Sequence, residues 1–133
     1  MATRDLATLL DDERYLSLTT FRTNGDGVAT PVWFVPQPDG TLLVYTEASS
    51  GKVKRLRREP ACTVAACDVR GRVHGEVVAA TAEVLDDEVD EVFRRLVRRY
   101  GWQARAFDLF ARLRNRGQRR DAVGLRLSAA DRG

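Results

Sequence analysis

Cysteine and histidine are scarce in this chain, whose 133 residues include two cysteines and one histidine. Cys62 and Cys67 are five positions apart in a stretch that predicts a β-strand, and odd spacing places side chains on opposite faces of a strand. We therefore expect two small buried thiols and no disulfide between them. Because His74 is the only imidazole and no Cys-x-x-Cys pair occurs, we also expect no metal site.

Long hydrophobic runs are also missing, since no stretch approaches the roughly 18 apolar residues that span a bilayer. The first residues carry acids where a secretory signal needs positive charge followed by an apolar segment. We therefore expect a cytoplasmic protein with no membrane contact. Hydrophobic residues at 44% and charged residues at 31% are typical of a globular chain. The length predicts a single domain over residues 1–133.

Charge is distributed unevenly along the second half of the chain. Residues 83–91 contain six acidic side chains, whereas residues 94–120 contain ten arginines and a single acid, Asp108. One interpretation is a set of solvated helix faces. The other is a surface for phosphate groups or nucleic acid.

Glycine and proline turns divide the chain into short segments that predict an α+β protein. Strands are predicted over residues 15–23, 28–36, 41–46, 61–68, 73–85 and 122–128. Helices are predicted over residues 3–13, 52–58, 86–100 and 102–115. Pro31, inside the second strand, predicts an edge, a bulge or an interrupted ladder. Six antiparallel strands favour a closed barrel, because closure removes the sheet edges, although an open sheet gives a similar pattern.

The segment 49–58 places cations at the start of a predicted helix. Lys52, Lys54 and Arg55 fall in or near the first turn, where the helix already carries partial positive charge. Exposed amides, small hydroxyl side chains and cations together favour a phosphate site. The alternative is a short solvated helix, on which misplaced cations cost only tenths of a kcal/mol.

Other catalytic patterns are weak. His74 has no accompanying nucleophile motif, and its position at a predicted strand start favours a structural role. There is no G-x-G-x-x-G sequence and no Walker loop, so neither a dinucleotide fold nor a P-loop enzyme is supported. If the chain is an enzyme, a bound cofactor is expected to supply the chemistry, and no catalytic residue can be assigned.

Three motifs in this order resemble a known family. TPVWF at 30–34, SGKVKRL at 50–56 and YGW at 100–102 are similar to the split-barrel flavin and deazaflavin proteins related to pyridoxamine 5′-phosphate oxidase. Among these proteins, the sequences of the three motifs are most similar to the actinobacterial subgroup of F420-dependent oxidoreductases. The resemblance extends from about Leu16 to Leu127. The histidine and arginine set that oxidase members use for pyridoxal phosphate has no match here, so that activity is not expected.

The resemblance implies a six-stranded antiparallel split β-barrel with short flanking helices, working as a homodimer with two cofactors across the subunit interface. Implied phosphate contacts are Ser50, Lys52, Lys54 and Arg55. Implied contacts to the isoalloxazine or deazaisoalloxazine ring are Thr30, Pro31, Val32, Trp33, Tyr45 and Thr46. The implied activity is hydride transfer from reduced coenzyme F420 to an unsaturated or electrophilic small molecule, with arginines of residues 94–120 as candidates for the coenzyme's anionic tail.

Three alternatives stay open at this point. An FMN-dependent reductase would present the same ring and phosphate to the same motifs. A non-catalytic flavin or deazaflavin carrier would use the same site without turnover. A nucleic-acid-binding module would use the arginine-rich helices, but their apolar residues favour packing, and no nucleic-acid motif is present.

Overall fold

The computed structural model describes residues 5–103, 105, 106 and 122–130. In that part of the chain the strands are β1 (Tyr15–Phe21), β2 (Gly27–Val32), β3 (Val35–Pro36), β4 (Leu42–Glu47), β5 (Ala61–Cys67), β6 (Val78–Leu85) and β7 (Ala122–Ala129). The helices are α1 (Leu6–Leu9), α2 (Gly51–Arg58) and α3 (Val89–Tyr100). Residues 102, 103, 105 and 106 are helical too, and the rest of the helix predicted over 102–115 lies outside the described residues. None of the described helices is long and apolar enough to cross a membrane.

All seven strands form one antiparallel sheet in the order β2-β1-β5-β6-β7-β4-β3. The two strands at its ends, β2 and β3, are separated in sequence only by Trp33 and Phe34. Three Cα steps from Val32 to Val35 cover at most about 11 Å. A flat sheet of seven strands would hold its edges about 29 Å apart. The sheet must therefore curl until its ends meet, which gives the predicted barrel.

The predicted count of six strands is wrong, because the strand predicted over 28–36 is divided into two. Its first part, β2, pairs with β1, with Val32 opposite Leu16. Its second part, β3, pairs instead with β4, with Val35 opposite Leu43. The chain exchanges partners at Trp33 and Phe34, so this segment closes the barrel from both sides.

The fifth predicted strand also begins later than expected, at Val78 rather than at residue 73. A turn at residues 68–72 occupies the chain first, with the Asp68 carboxylate accepting hydrogen bonds of 2.9 Å from the backbone N–H groups of Arg70 and Arg72. After it, only an isolated bridge between Cys67 and Val73 continues the pairing. The hydrogen bonds to Asp68 lower the pKa of that carboxyl below its usual range.

Two apolar clusters hold the fold together. The larger cluster fills the barrel and contains Leu16, Leu18, Phe34, Leu42, Val44, Leu56, Val64, Leu125 and Leu127 among its members. The smaller lies outside the sheet, where Val92, Leu96 and Tyr100 of α3 pack with Val35, Leu43 and Leu85. Gly124 permits this close approach, because a Cβ there would lie 2.8 Å from Cγ2 of Val92.

Both cysteines are buried and free, as predicted. Cys62 faces the interior of the barrel, and its burial raises the pKa of the thiol to about 11. Cys67 follows five residues later on the opposite face of β5, so the two sulfurs point away from each other.

Candidate functional site

A seam opens in the barrel where β2 separates from β4. The β3–β4 register, counted backwards from Val35 opposite Leu43, would place Trp33 opposite Tyr45 and Val32 opposite Thr46. At that level, however, Val32 already pairs with Leu16 of β1. Among the described residues the sheet contains no ladder between β2 and β4, since β2 pairs with β1 and residues 45–47 of β4 pair with β7. We call the boundary between β2 and residues 45–47 the split.

The predicted ring contacts lie along both sides of the split. Thr30, Pro31 and Val32 belong to β2, and Tyr45 and Thr46 belong to β4. Successive side chains on a strand face opposite sides, so Val32 packs toward the barrel interior whereas Trp33 and Tyr45 join the outer cluster with α3. Pro31, in a strand at the end of the sheet order, is exposed, in agreement with the predicted edge position.

Tyr100 at the end of α3 fixes the broken strand beside the split. Its hydroxyl accepts a hydrogen bond from the backbone N–H of Phe34 at 3.2 Å and lies 2.7 Å from the carbonyl oxygen of Arg14. Its ring stacks on the indole of Trp33, with centroids 4.8 Å apart and an interplanar angle of 14°. The sequence predicted a helix end here but not this role, which depends on residue pairs more than 60 positions apart in the chain.

The chain runs from β4 directly into α2, which brings the predicted phosphate contacts to the end of the split. Ser50 is the N-cap residue, yet its side chain makes no capping hydrogen bond. Its Oγ atom is buried and has no hydrogen-bond partner within the described part of the chain. Serine at this position normally accepts a bond from the first-turn N–H groups, so those donors are left available to an anion.

Lys52 is half-buried in the first turn of the same helix. Burial lowers the pKa of its amine below the usual range, an effect that Glu47 opposes and Arg55 increases. A desolvated cation with a cationic neighbour gains stability when an anion binds beside it. Lys52 and Lys54 are also the only lysines among 22 lysine and arginine residues, and lysine is a compact phosphate ligand.

The remaining predicted phosphate contacts differ in how they are held. Arg55 donates from Nε to the buried hydroxyl of Thr20 on β1 at 2.7 Å. Its guanidinium folds over the helix start, since a Cβ on Gly51 would lie 2.8 Å from Nη1. Lys54 is exposed, and within the described ranges no side-chain hydrogen bond comparable to that of Arg55 holds it. Three of the four residues therefore surround the N-terminus of α2, whereas Lys54 projects to solvent.

Two other features offer weaker candidates for a site. A cleft of about 330 Å³ lies between α3 and the β3–β4 connection, but its arginines are paired, Arg95 with Glu91 at 2.8 Å and Arg126 with Glu83 at 3.4 Å. His74 is exposed, and its Nε2 atom is hydrogen-bonded to Oε1 of Glu13 at 2.8 Å. Within the described ranges, no group of three or more His, Cys, Asp or Glu side chains could hold a metal ion.

The curled sheet with one open seam defines this chain as a split-barrel protein. Residues 2–130 match the pyridoxamine 5′-phosphate oxidase family, and the chain belongs to that family. The family binds flavin-type cofactors. The narrower resemblance to the actinobacterial F420-dependent subgroup stays a prediction. No curated protein sequence matches the chain significantly.

Solved structures with the same fold include proteins of different kinds. The heme storage protein HutZ from Vibrio cholerae is 14% identical with a TM-score of 0.66, over 93% of this chain and 87% of that one. A conserved hypothetical protein from Mycobacterium tuberculosis is 21% identical with a TM-score of 0.66, over 98% and 82%. An F420 reductase is 15% identical with a TM-score of 0.61, over 98% and 97%. At these identities the likeness shows the fold alone.

Proposed function

We propose that this protein binds coenzyme F420 and transfers a hydride from the reduced coenzyme to an unsaturated or electrophilic small molecule. The observation that carries the proposal is the N-terminus of α2, where an unpartnered Ser50 hydroxyl and a desolvated Lys52 lie beside the split. Membership in a family that binds flavin-type cofactors supports it, and so does the likeness to a solved F420 reductase.

In this proposal α2 binds the coenzyme phosphate. The free N–H groups of the first turn and the Ser50 hydroxyl donate hydrogen bonds to the phosphate oxygens. Lys52 supplies a positive charge in a half-buried position, where solvent screens it less than it would an exposed lysine. Arg55, held against Thr20, closes the other side of the helix start, and Lys54 adds charge from solvent.

The split receives the ring, between Thr30–Trp33 on one side and Tyr45–Thr46 on the other. Trp33 is held by its stacking on Tyr100, and Tyr45 by its contact with Phe93, whose ring centre is 5.2 Å away. When bound, reduced F420 supplies the hydride. The side chains around the split orient the ring and exclude water from one of its faces. No catalytic residue is assigned, and the proton for the substrate comes from solvent.

The proposal includes a homodimer with a cofactor site at each side of the subunit interface. Three exposed valines, Val69, Val73 and Val77, are 64%, 49% and 61% exposed on the connection between β5 and β6. That connection lies beside the split, because a Cβ on Gly71 would lie 3.7 Å from the ring of Pro31. Contact with a second chain would cover this apolar surface. Light scattering tests it, with an expected mass of twice the 14.9 kDa chain and a contradicting result of a monomer.

Two alternatives use the same site. FMN carries the same kind of ring and phosphate, so an FMN reductase would require the same residues. Non-catalytic binding is favoured by one observation, that the fold is also that of a heme storage protein. Nucleic-acid binding is a remote third alternative, because it would use the arginines of residues 94–120 and leave the site beside α2 unexplained.

The test is a pair of fluorescence titrations of the purified protein, one with F420 and one with FMN, followed by F420H2 oxidation assays with electrophilic alkenes. We expect tighter binding of F420 and consumption of F420H2 by at least one substrate. Preference for FMN would contradict the choice of coenzyme. Tight F420 binding without turnover across the panel would contradict the oxidoreductase and favour a carrier.

A further inference from the structure

Two arginines gather around Tyr100 at the edge of the split. The guanidinium carbon of Arg14 lies 5.2 Å from the centre of the Tyr100 ring, and that of Arg99 lies 5.6 Å from it. Arg99 also lies 4.9 Å from the ring centre of Phe34. We call Arg14 and Arg99 the arginine pair.

Neither member of the pair has a carboxylate partner among the described residues. Arg14 donates to the side-chain oxygen of Gln103 at 3.2 Å, and Arg99 donates to the backbone carbonyl of Glu13. The Glu13 carboxylate, which is next to Arg14 in sequence, is bonded to His74 instead. Two other arginines of the same helix differ, since Arg94 and Arg95 both pair with Glu91.

Arg99 also keeps an unused donor. Its Nε atom is buried and has no hydrogen-bond partner in the described part of the chain. Guanidinium groups bind carboxylates through two parallel hydrogen bonds, and Nε is one of the donors in that fork. Two guanidinium groups therefore surround one ring, and one of them has an unbonded donor. An oxyanion would neutralise both charges and accept a hydrogen bond from that donor.

The pair is separate from the phosphate contacts of α2. Arg14 precedes β1, whereas Arg55 of α2 contacts Thr20 near the far end of the same strand. Six residues of extended chain place these points about 20 Å apart. The pair contacts the ring of Tyr100, which stacks on Trp33 at the edge of the split, whereas the phosphate contacts lie near the other end of β1.

We propose that Arg14 and Arg99 form a carboxylate-binding site, and that the molecule reduced in the split is an unsaturated carboxylic acid. The assignment of the carboxylate to the substrate rests on the proposed function, whereas the carboxylate site itself does not. The position of Arg99 does not depend on the coenzyme, because Arg99 is held by the Glu13 carbonyl and by two aromatic rings. Binding therefore requires no coenzyme.

The experiment uses Trp33 as a reporter in the absence of coenzyme. The chain has two tryptophans, and Trp102 is 75% exposed, so a Trp102→Phe background leaves Trp33 as the only one. Its fluorescence is followed during titration with crotonate and with the neutral isostere crotonamide. We expect crotonate to bind with a Kd of about 1 mM or less and crotonamide to bind at least about tenfold more weakly, the usual effect of losing a charged hydrogen bond.

Arg14→Gln and Arg99→Lys are then compared with Arg98→Gln, which removes an exposed charge from the same turn of α3. Arg14→Gln is the more secure variant, since within the described residues its side chain is engaged by Gln103 and the Tyr100 ring and by no carboxylate. We expect each pair variant to weaken crotonate binding about tenfold and the Arg98 variant to leave it unchanged. Equal binding of acid and amide, no binding of crotonate, or equal losses in all three variants would overturn the site. The crotonate titration contains no coenzyme. Its outcome therefore tests the carboxylate site even if the protein fails to bind F420.

Discussion

Lys52 is the residue on which the proposed cofactor site depends most. Its ammonium is half-buried in the first turn of α2, and burial lowers the pKa of that group below the usual value for lysine. A bound phosphate favours the charged form and raises the pKa again. Binding is therefore accompanied by proton uptake once the pH approaches the lowered pKa of the free protein.

We predict that F420 affinity falls as pH rises through the lowered pKa of Lys52, beginning below the usual lysine value of about 10.4. Lys52→Arg keeps its charge throughout, because the guanidinium pKa lies above about 12. The variant also corrects for titration of the coenzyme itself. Dissociation constants are measured from pH 7 upward, with circular dichroism confirming the fold at each pH. Parallel profiles for the two proteins would contradict this role of Lys52.

Cys62 is a second single residue that can be tested, because its thiol reports whether the barrel interior is closed to solvent. Burial raises the pKa of its thiol to about 11, so very little thiolate is present at pH 8. We predict that iodoacetamide labels Cys62 in the native protein at least about a hundredfold more slowly than in the unfolded chain. Mass spectrometry of timed samples gives both rates, and equal rates would show that the thiol is not enclosed.

At the scale of elements, the break between β2 and β3 is the feature that sequence patterns could not locate. The turns on either side of residues 28–36 correctly predicted an extended segment, and Pro31 indicated an edge. Nothing local shows that the first part pairs with β1 and the second with β4. That exchange depends on contacts with strands distant in sequence and on the Tyr100 hydroxyl, which bonds the backbone of Phe34.

Tyr100→Phe tests how much this single hydroxyl stabilises the break. The variant leaves the Phe34 N–H and the Arg14 carbonyl without their partner, which costs about 1–3 kcal/mol. We predict a decrease of that size in the free energy of unfolding, measured by urea denaturation. Trp102→Phe, at an exposed position after the same helix, is the control and should change stability by less than about 0.5 kcal/mol. Equal stabilities of Tyr100→Phe and wild type would show that the hydroxyl has no role in closing the barrel.

At the scale of the whole molecule, motif order predicted the split barrel and the family. The spatial proximity of two groups of site residues, however, could be seen only in the folded structure. The sequence separates residues 30–33 from 45–46 by a turn and a strand, and the curled sheet places them across one gap. Arg14 and Arg99 are 85 positions apart in the sequence, yet both contact the ring of Tyr100. No local sequence pattern predicted that they lie close together. The single domain over residues 1–133, the homodimer and the cytoplasmic location stay predictions.

The central claim is that α2 binds a cofactor phosphate beside the split, and Lys52→Ala tests it most directly. Side-by-side F420 titrations of wild type, Lys52→Ala and Arg57→Ala compare the first turn of α2 with an exposed arginine near its end, which pairs with Asp86. We predict that Lys52→Ala weakens binding by about 1–3 kcal/mol with little change in folding, whereas Arg57→Ala binds like wild type. Equal affinities for wild type and Lys52→Ala would contradict the phosphate site and the function built on it.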